Sequence, residues 1–351
     1  MANRSKQQVR DCNVQPSSST TTSSWRYYLF AFAPIPLLFF ASHFLRNAIS
    51  SPPSDYGTGS MFDLIAERYD FINRALALNL DMSWRHRLVK EVVGAEGEIF
   101  AAATREGGAG SVKILDLATG TADVAILLGK AAAQYYNTHS IIPSSEAKRN
   151  VDNTILGLDP SQNMLNVGVT KIQQSNLSHI VRLQLGDARN LDSIANDTFD
   201  AASMSFGIRN IPEKEMALCE IHRVLKKSTN NESKLAIMEF SEPGPDTGIM
   251  GSLARLFIRH IVPAIGAMLS GCPKEYMHLQ KSIKDFPSPP EFVALMEGLQ
   301  CPIKADSDEN GDAQSDITSF GSFRVKEVVN LNFGSVQIYV ATPILKKYVT
   351  E

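Results

Sequence analysis

The sequence has few cysteines and no surplus of positive charge, and each shortage excludes a class of protein. Its 351 residues include only 4 cysteines, with no CxxC pair and no His-rich segment. Cys12, Cys219, Cys272 and Cys301 are too scattered to suggest a disulfide framework or a zinc site, and they favour a reducing compartment. Lys and Arg number 34 against 37 Asp and Glu, so no overall positive field is available to bind nucleic acid.

The first 60 residues differ from the rest of the chain and predict a leader outside the folded domain. A Ser/Thr run from Ser17 to Ser24 precedes the uncharged apolar segment 27–42. A basic, Ser-rich and acid-poor leader is typical of an organelle presequence. A membrane anchor, a secretion signal and an uncleaved disordered tail are the alternatives. A spanning helix needs about 20 apolar residues, and Pro34 and Pro36 would interrupt this one.

Residues 61–351 have the composition and periodicity of one α/β domain. Apolar residues repeat at helical spacing in two leading segments, from Phe62 and from Trp84. Strand-like runs separated by helix-length segments follow, at Lys113–Leu117, Ile155–Asp159, Arg182–Leu185, Phe199–Met204 and Lys234–Phe240. This alternation predicts a mostly parallel sheet with helices on both faces. The runs Phe323–Asn330 and Ser335–Ala341 predict a closing hairpin. Surface loops are expected at Ala101–Gly110, Asn137–Asn153 and Ala305–Ser322.

Polar or small residues follow four predicted strands at their carboxyl ends, where an open parallel sheet binds ligands. Gly120 lets the backbone approach a ligand closely, and the helix after it begins with unpaired N–H groups. Asp159 ends the second strand, in the position that accepts hydrogen bonds from a ribose. Asp187 and Ala188 follow the third strand, at a place suited to an adenine amine. Ser205 follows the fourth strand, so all of these residues are predicted to line one crevice.

The glycine turn distinguishes between two kinds of nucleotide cofactor. Gly120 is followed by Thr121, Ala122 and Asp123, so the second and third glycines of a dinucleotide-binding GxGxxG turn are missing. A nicotinamide-dependent dehydrogenase is therefore the disfavoured alternative. S-adenosylmethionine has no phosphate, and its cationic sulfonium and amino-acid ends suit a turn that carries Asp116. The crevice therefore predicts a methyltransferase, although each carboxylate alone could instead cap a helix or begin a turn.

Eight segments form a recognisable set: MFDLIAERYDFINRALALNLDMSWR, ILDLATGTADVA, GLDPSQNML, GDARNL, SFGIRNI, EIHRVLK, MEFSEP and KSIKDFPSPPEF. Together they resemble the ubiquinone/menaquinone biosynthesis C-methyltransferase family from about Met61 to Pro343. The resemblance implies a Rossmann-like class I S-adenosylmethionine-dependent methyltransferase with a seven-stranded sheet. It also implies methylation of a ring carbon of a polyprenylated benzoquinol, 2-methoxy-6-polyprenyl-1,4-benzoquinol, in ubiquinone biosynthesis. A demethylmenaquinol or demethylphylloquinol methyltransferase is the alternative.

The resemblance also assigns the cofactor contacts, which fall on Thr121, Asp159, Asp187, Ala188 and Ser205. The family usually has Gly-Gly-Thr-Gly where this chain has Thr119 to Ala122. We expect Ala122 to take a positive φ angle only with difficulty. This departure leaves open a noncatalytic protein that serves as the scaffold of a biosynthetic complex. The presence of Asp159, Asp187 and Arg209 argues against that alternative.

Ring methylation needs electron density at a ring carbon, which loss of a phenolic proton supplies. Arg209 stays protonated and is expected to stabilise the phenolate, unless it serves only a structural salt bridge. Asn210 is expected to orient the same hydroxyl, and Tyr276 and His278 to approach the ring. The reaction requires no metal, and the identity of the general base is left open.

The resemblance further implies where the enzyme works. It implies peripheral association with the matrix side of the inner mitochondrial membrane, within a multiprotein ubiquinone-synthesis complex, and a plastid is the alternative.

Leu253–Leu269 is an apolar run that we expect either to form a wall or lid beside the polyprenyl tail or to be a buried helix interrupted at Pro263. Tyr69 and Asn73 are expected to close the cofactor pocket.

Overall fold

The computed structural model describes residues 59–63, 65–105, 112–139, 154–227, 233–244, 247–262, 265, 281–303 and 319–347. The predicted leader lies outside these residues except for its last two positions, and so does its apolar segment 27–42. Tyr276 and His278 also lie outside the described residues. Within the described ranges, no helix has both the length and the apolar character that crossing a bilayer requires.

Among the described residues, four helices precede the first strand. They are α1 (Ser60–Asp63), α2 (Ala66–Leu76), α3 (Leu80–Val93) and α4 (Glu98–Arg105). The loop predicted at Ala101–Gly110 is therefore wrong for residues 101–105. Phe100 in α4 is fully buried and its ring packs against those of Tyr135 and Tyr136, so tertiary packing stabilises a helix where the small residues gave no periodic signal.

Seven strands form one sheet in the order β3-β2-β1-β4-β5-β7-β6. The strands are β1 (Ile114–Leu117), β2 (Ile155–Asp159), β3 (Val181–Leu185), β4 (Ala201–Ser205), β5 (Lys234–Phe240), β6 (Ser319–Leu331) and β7 (Val336–Lys347). The first five pair in parallel, whereas β7 runs antiparallel to both β5 and β6. This arrangement confirms the predicted mostly parallel class I sheet and its C-terminal hairpin.

The remaining described helices cover both faces of the sheet. They are α5 (Asp123–Thr138), α6 (Gln162–Gln174), α7 (Lys214–Val224), α8 (Gly248–Leu256), which continues as the π-helical segment Phe257–Ile261, and α9 (Pro289–Gly298). Alternate residues of β5 point into two separate cores, Ala236 and Met238 into one and Leu235 and Ile237 into the other. Burial on both faces explains why Leu235–Met238 of β5 is a continuous apolar run in the sequence.

A disulfide joins α7 to the segment that follows α9, and the prediction of no disulfide framework is wrong at this pair. Cys219 and Cys301 are bonded with their Cα atoms 5.1 Å apart, a separation within the range that disulfides need. They lie 82 residues apart in the chain. Local spacing rules therefore could not reveal the pair, because only the packing of α7 against the sheet edge brings the two residues together.

Candidate functional site

The turn after β1 is supported from below by the buried Asp116. Its carboxylate accepts hydrogen bonds from Thr119 Oγ1 and Ser203 Oγ, both at 2.6 Å. Burial raises the pKa of Asp116 to about 6, although these hydrogen bonds act in the opposite direction. Asp116 is not among the residues that line the cavity above the turn. The structure therefore places it beneath that cavity, where it holds the backbone of the turn in position.

The turn itself takes a left-handed backbone at three positions. Gly120 has φ 55° and borders the cavity, and a Cβ added there would have no heavy atom within 4 Å. Ala118 and Ala122 have φ 49° and 66°, so Ala122 does take the positive φ that we expected it to adopt only with difficulty. Gly168 in α6 helps to explain how Ala122 fits in this conformation. A Cβ added to Gly168 would lie 3.1 Å from Ala122 Cβ. The missing side chain at Gly168 leaves room for the strained turn.

Asp159 connects the ends of β1 and β2. Its Oδ2 accepts the Gly120 N–H at 2.8 Å and its Oδ1 accepts the Ser161 N–H at 2.9 Å. Burial raises the pKa of Asp159 to about 6, even though both backbone hydrogen bonds favour the ionised form. The carboxylate is thereby fixed in one orientation at the wall of the cavity. Each oxygen retains acceptor capacity for a further hydrogen bond.

The ends of β3 and β4 complete this cavity. Asp187 and Ala188 line it next to Ser205. Burial would raise the pKa of Asp187, but hydrogen bonds from the side chain and backbone of Arg189 lower it below its ordinary value. The Oγ of Ser205 is buried and has no hydrogen-bond partner among the described residues. A buried hydroxyl left unpaired costs about 1–3 kcal/mol, so a polar ligand atom at this position would be stabilising.

These groups fit S-adenosylmethionine. The open backbone at Gly120 can accept close approach of the ligand, the carboxylate of Asp159 can accept ribose hydroxyls, and Ser205 offers an unpaired hydroxyl. Thr121, which the resemblance gave as a cofactor contact, has its side chain turned to a neighbouring helix in this structure. Its hydroxyl donates to Asp70 Oδ1 at 2.7 Å and is not among the groups lining the cavity. Thr121 therefore fastens α2 to the turn, while the other predicted contacts except Asp116 surround the cavity.

A second, apolar cavity of about 500 Å³ adjoins the first. Four residues line both cavities: Phe62, Tyr69, Phe206 and Asn210. Phe206 has a positive φ of 57°, and its ring stacks on Phe240 with centroids 4.3 Å apart. Such backbone strain persists only where the surrounding packing fixes it, and it is concentrated at functional sites. Among the described residues, these four therefore border a ligand in either cavity.

A small polar group lies in the wall of the apolar cavity. Its described members are Tyr69, Asn73, Asp81, Arg85, Arg209 and Asn210. Burial raises the pKa of the Tyr69 phenol, against the charges of Arg209 and Arg85 and a hydrogen bond with Asn73. Tyr69 is thus a neutral phenol beside two guanidinium groups. The two predicted catalytic residues that are described, Arg209 and Asn210, lie together at this wall.

Arg209 also forms the salt bridge that the sequence left as an alternative. Its Nη1 donates to Glu239 Oε1 at 2.6 Å and to the Phe206 carbonyl at 2.7 Å. Glu239 was missed in the sequence because it lies within the apolar run of β5. Asp81 and Arg85 were missed too, although the sequence gave a signal for them. Both share a helix face with Trp84 and Leu88. Charged residues on the apolar face of a helix are rarely buried without a function or a partner.

Part of the apolar run Leu253–Leu269 forms one side of this cavity. Leu253, Leu256 and Phe257 line it from α8 and the π-helical segment. Residues 263–264 and 266–269 of the run lie outside the described residues. Leu253 is 53% exposed, so the described part is a wall with one solvent-facing side, not a fully buried helix.

Comparison with known proteins agrees with the resemblance in the sequence. The model of the ubiE/COQ5 methyltransferase family matches residues 54–301. The ubiquinone/menaquinone biosynthesis C-methyltransferase of Syntrophotalea carbinolica is 36% identical over 240 residues, which are 68% of this chain and 84% of the relative. The one from Geotalea uraniireducens is 33% identical over 239 residues, 68% and 85% of the two chains. The demethylmenaquinone methyltransferase of Deinococcus radiodurans is 33% identical over 236 residues, 67% and 81% of the two chains.

Proposed function

The chain belongs to the ubiE/COQ5 methyltransferase family, whose members are S-adenosylmethionine-dependent C-methyltransferases of quinone biosynthesis, and we propose that its substrate is 2-methoxy-6-polyprenyl-1,4-benzoquinol. The observation that carries this proposal is the pair of adjoining cavities with four lining residues in common. One cavity has the polar groups that a nucleoside needs. The other has an apolar wall with a few polar groups beside the first, as a flat ring with an apolar tail requires.

The chain's own residues supply positioning and charge. S-adenosylmethionine, when bound, supplies a methyl group on a positively charged sulfur. Phe62 and Phe206 border both cavities, and we expect them to hold the acceptor ring in line with that methyl group and to exclude water. Arg209 then stabilises negative charge on the ring oxygen, and Asn210 orients the ring hydroxyl. Most of the rate acceleration comes from this positioning.

We also propose that the enzyme contacts a membrane where the apolar cavity opens. Leu78, Leu253 and Phe333 line this cavity and are 77%, 53% and 57% exposed. Exposed apolar residues grouped at one opening are typical of a membrane or partner surface. Because a polyprenylated acceptor resides in the bilayer, a lipid surface fits this group. We propose the matrix side of the inner mitochondrial membrane and a quinone-synthesis complex, as the family resemblance implies, with a plastid as the alternative; the composition of the leader is compatible with either organelle.

A demethylmenaquinol is the second candidate substrate. The relative from Deinococcus radiodurans is named a demethylmenaquinone methyltransferase, and its 33% identity equals that of the Geotalea uraniireducens relative. A naphthoquinol would use the same ring hydroxyl and the same apolar wall. The two acceptors differ in the second ring and the methoxy group, so they can be compared directly in one assay.

The substrate is tested by methyl transfer from labelled S-adenosylmethionine to a reduced methoxy-polyprenyl-benzoquinol and, separately, to a demethylnaphthoquinol, with the products analysed by mass. We expect the benzoquinol to gain one methyl group, and its oxidised quinone to gain none. Methylation of the naphthoquinol alone would overturn the first proposal in favour of the second. Cofactor binding without either product would favour the noncatalytic scaffold.

The membrane surface is tested by flotation with vesicles of phosphatidylcholine and cardiolipin. We expect Leu253→Asp to reduce the bound fraction. Met216→Asp is the matched control, because Met216 is 54% exposed but does not line the apolar cavity. An equal loss in both variants would show that binding does not use the mouth of this cavity.

A further inference from the structure

The carboxylate of Asp81 makes its hydrogen bonds to the described residues through one of its two oxygens. Asp81 is 2% exposed and lines the apolar cavity. Its Oδ2 accepts hydrogen bonds from the Nη1 atoms of Arg74 and Arg85. Its Oδ1 is buried and has no hydrogen-bond partner among the described residues. The two guanidinium groups therefore fix the carboxylate through one oxygen and leave the other available to a ligand.

An unpartnered carboxylate oxygen is costly inside a protein. A buried polar group without a partner costs about 1–3 kcal/mol, and more when it belongs to a charged side chain. An ionised carboxylate can only accept hydrogen bonds. The missing partner is therefore a donor, and a molecule bound in this mostly apolar cavity can carry it. A ring with a hydroxyl group meets both conditions.

The other polar groups in the wall cannot take a proton as readily. Among the described residues that line the cavity, Asp81 is the sole carboxylate. Arg85 and Arg209 carry guanidinium groups, which donate hydrogen bonds and do not accept them. Tyr69 lies beside both guanidinium groups, and its neutral phenol is an acid of the same kind as the substrate hydroxyl.

We propose that Asp81 Oδ1 binds the hydroxyl group of the acceptor ring and takes its proton during the reaction. This inference rests on the proposed function and identifies the general base of the same site. The ring O–H bond breaks, its proton goes to Oδ1, and its electron pair stays on the ring oxygen and raises the electron density at the ring carbon. The ring carbon then gains the methyl group, whose bond to the sulfur of the donor would break with its electron pair left on that sulfur. The C–H bond of the same carbon breaks next, so its proton goes to water and its electron pair restores the aromatic ring. Asp81 then returns its proton to the ring oxygen, and one proton in total is released.

Binding without the methyl donor provides a test that does not depend on turnover. Trp84 lines the apolar cavity, and the one other tryptophan, Trp25, can be replaced by phenylalanine. Quenching of Trp84 fluorescence then reports the binding of a prenylated benzoquinol and of its dimethyl ether, both under anaerobic conditions. We expect the quinol to bind about tenfold or more tightly, because only the quinol can donate to a carboxylate. Equal affinities in the unsubstituted chain would overturn the proposal.

The Asp81→Asn variant assigns that preference to one side chain. We expect it to lose the preference for the quinol over the diether while its affinity for S-adenosylmethionine stays the same. Glu91→Gln is the matched control, because Glu91 lies on the same helix and pairs with Arg87 but does not line the cavity, so this variant should keep the preference. If Asp81→Asn folds and still prefers the quinol, the proposal is wrong.

Turnover separates this proposal from the proposed function. If the unsubstituted chain methylates the benzoquinol or the naphthoquinol, kcat should fall about 10²- to 10⁴-fold in Asp81→Asn. A kcat within a few-fold of the original value would overturn the role of Asp81. If the unsubstituted chain methylates neither acceptor, the proposed function fails, whereas the comparison of quinol and diether still decides whether Asp81 Oδ1 binds a ring hydroxyl.

Discussion

Arg209 and Glu239 form an ion pair inside the protein, with Nη1 and Oε1 2.6 Å apart and side chains 5% and 0% exposed. The other Glu239 oxygen, Oε2, accepts the backbone N–H of Arg209 at 3.2 Å. Strand β5 therefore fixes both the backbone and the side chain of Arg209 at the wall of the apolar cavity. Glu239 balances the charge that Arg209 brings to the wall of the apolar cavity, so we expect removal of either residue to affect folding as well as the proposed chemistry.

The first prediction separates these two effects. Arg209→Ala leaves a buried carboxylate uncompensated, so the free energy of unfolding should fall by about 3–5 kcal/mol. Combining Arg209→Met with Glu239→Gln removes both charges, and most of the stability should return while methyl transfer stays lost. Urea unfolding and the methyl-transfer assay measure the two quantities, and S-adenosylmethionine affinity serves as the control. Full turnover in the double variant would exclude Arg209 from the mechanism.

The second prediction concerns the pH dependence of cofactor binding. Burial raises the pKa of Asp159 to about 6, so this carboxylate gains a proton as the pH falls through about 6. The protonated form offers fewer acceptor sites to a ribose. Affinity for S-adenosylmethionine, measured by titration calorimetry, should therefore decrease from pH 7.5 to pH 5.

Asp159→Asn is needed to assign that decrease, because burial also raises the pKa of the neighbouring Asp116 to about 6. The variant should bind the cofactor weakly, and the part of the pH dependence that belongs to Asp159 should disappear. Unchanged affinity in Asp159→Asn or Asp159→Ala would count against a ribose contact.

Features encoded in neighbouring residues could be predicted from the sequence, and features made by packing could not. The strand ends that carry Asp159 and Ser205 were predictable because each follows a short apolar run. Asp81 was missed because its role depends on Arg74 from another helix and on the cavity between them. The positive φ of Ala122 was unexpected because the space left by Gly168 is a tertiary contact.

The third prediction concerns packing at the edge of the sheet. The ring of the buried His222 lies against Gly321, and a Cβ on Gly321 would come within 2.3 Å of His222 Cε1. Gly321→Ala must therefore displace the ring, whose Nε2 is 3.0 Å from the Ile344 carbonyl. We expect a loss of about 1–3 kcal/mol in the free energy of unfolding. Gly298→Ala is the control, because an added Cβ there meets nothing within 4 Å. This variant should unfold near the midpoint of the original protein. Equal losses of unfolding free energy in the two variants would contradict the packing argument.

The fourth prediction concerns the bond between Cys219 and Cys301. Closing an 82-residue separation restricts the unfolded chain, and disulfides of this kind contribute about 2–5 kcal/mol. A reducing agent should lower the unfolding midpoint of the original chain and leave that of Cys219→Ser unchanged. Mass analysis of a digest prepared without reduction should find the two cysteines in one linked peptide. Alkylation of both thiols in the untreated protein would contradict the bond.

The fifth prediction locates the start of the folded domain. Deleting residues 1–54 should leave a folded chain with unchanged affinity for S-adenosylmethionine, and loss of folding would show that the leader belongs to the domain. Deleting residues 1–64 should weaken cofactor binding, because it also removes Asp63, whose Oδ1 accepts the Ser161 hydroxyl at 2.5 Å and the Asn163 N–H at 3.2 Å. It removes Phe62 as well, which lines both cavities. Titration calorimetry on the two truncated chains therefore tests whether α1 closes the cofactor cavity, and thermal unfolding checks that both chains fold. Equal affinities for S-adenosylmethionine would show that α1 does not close it.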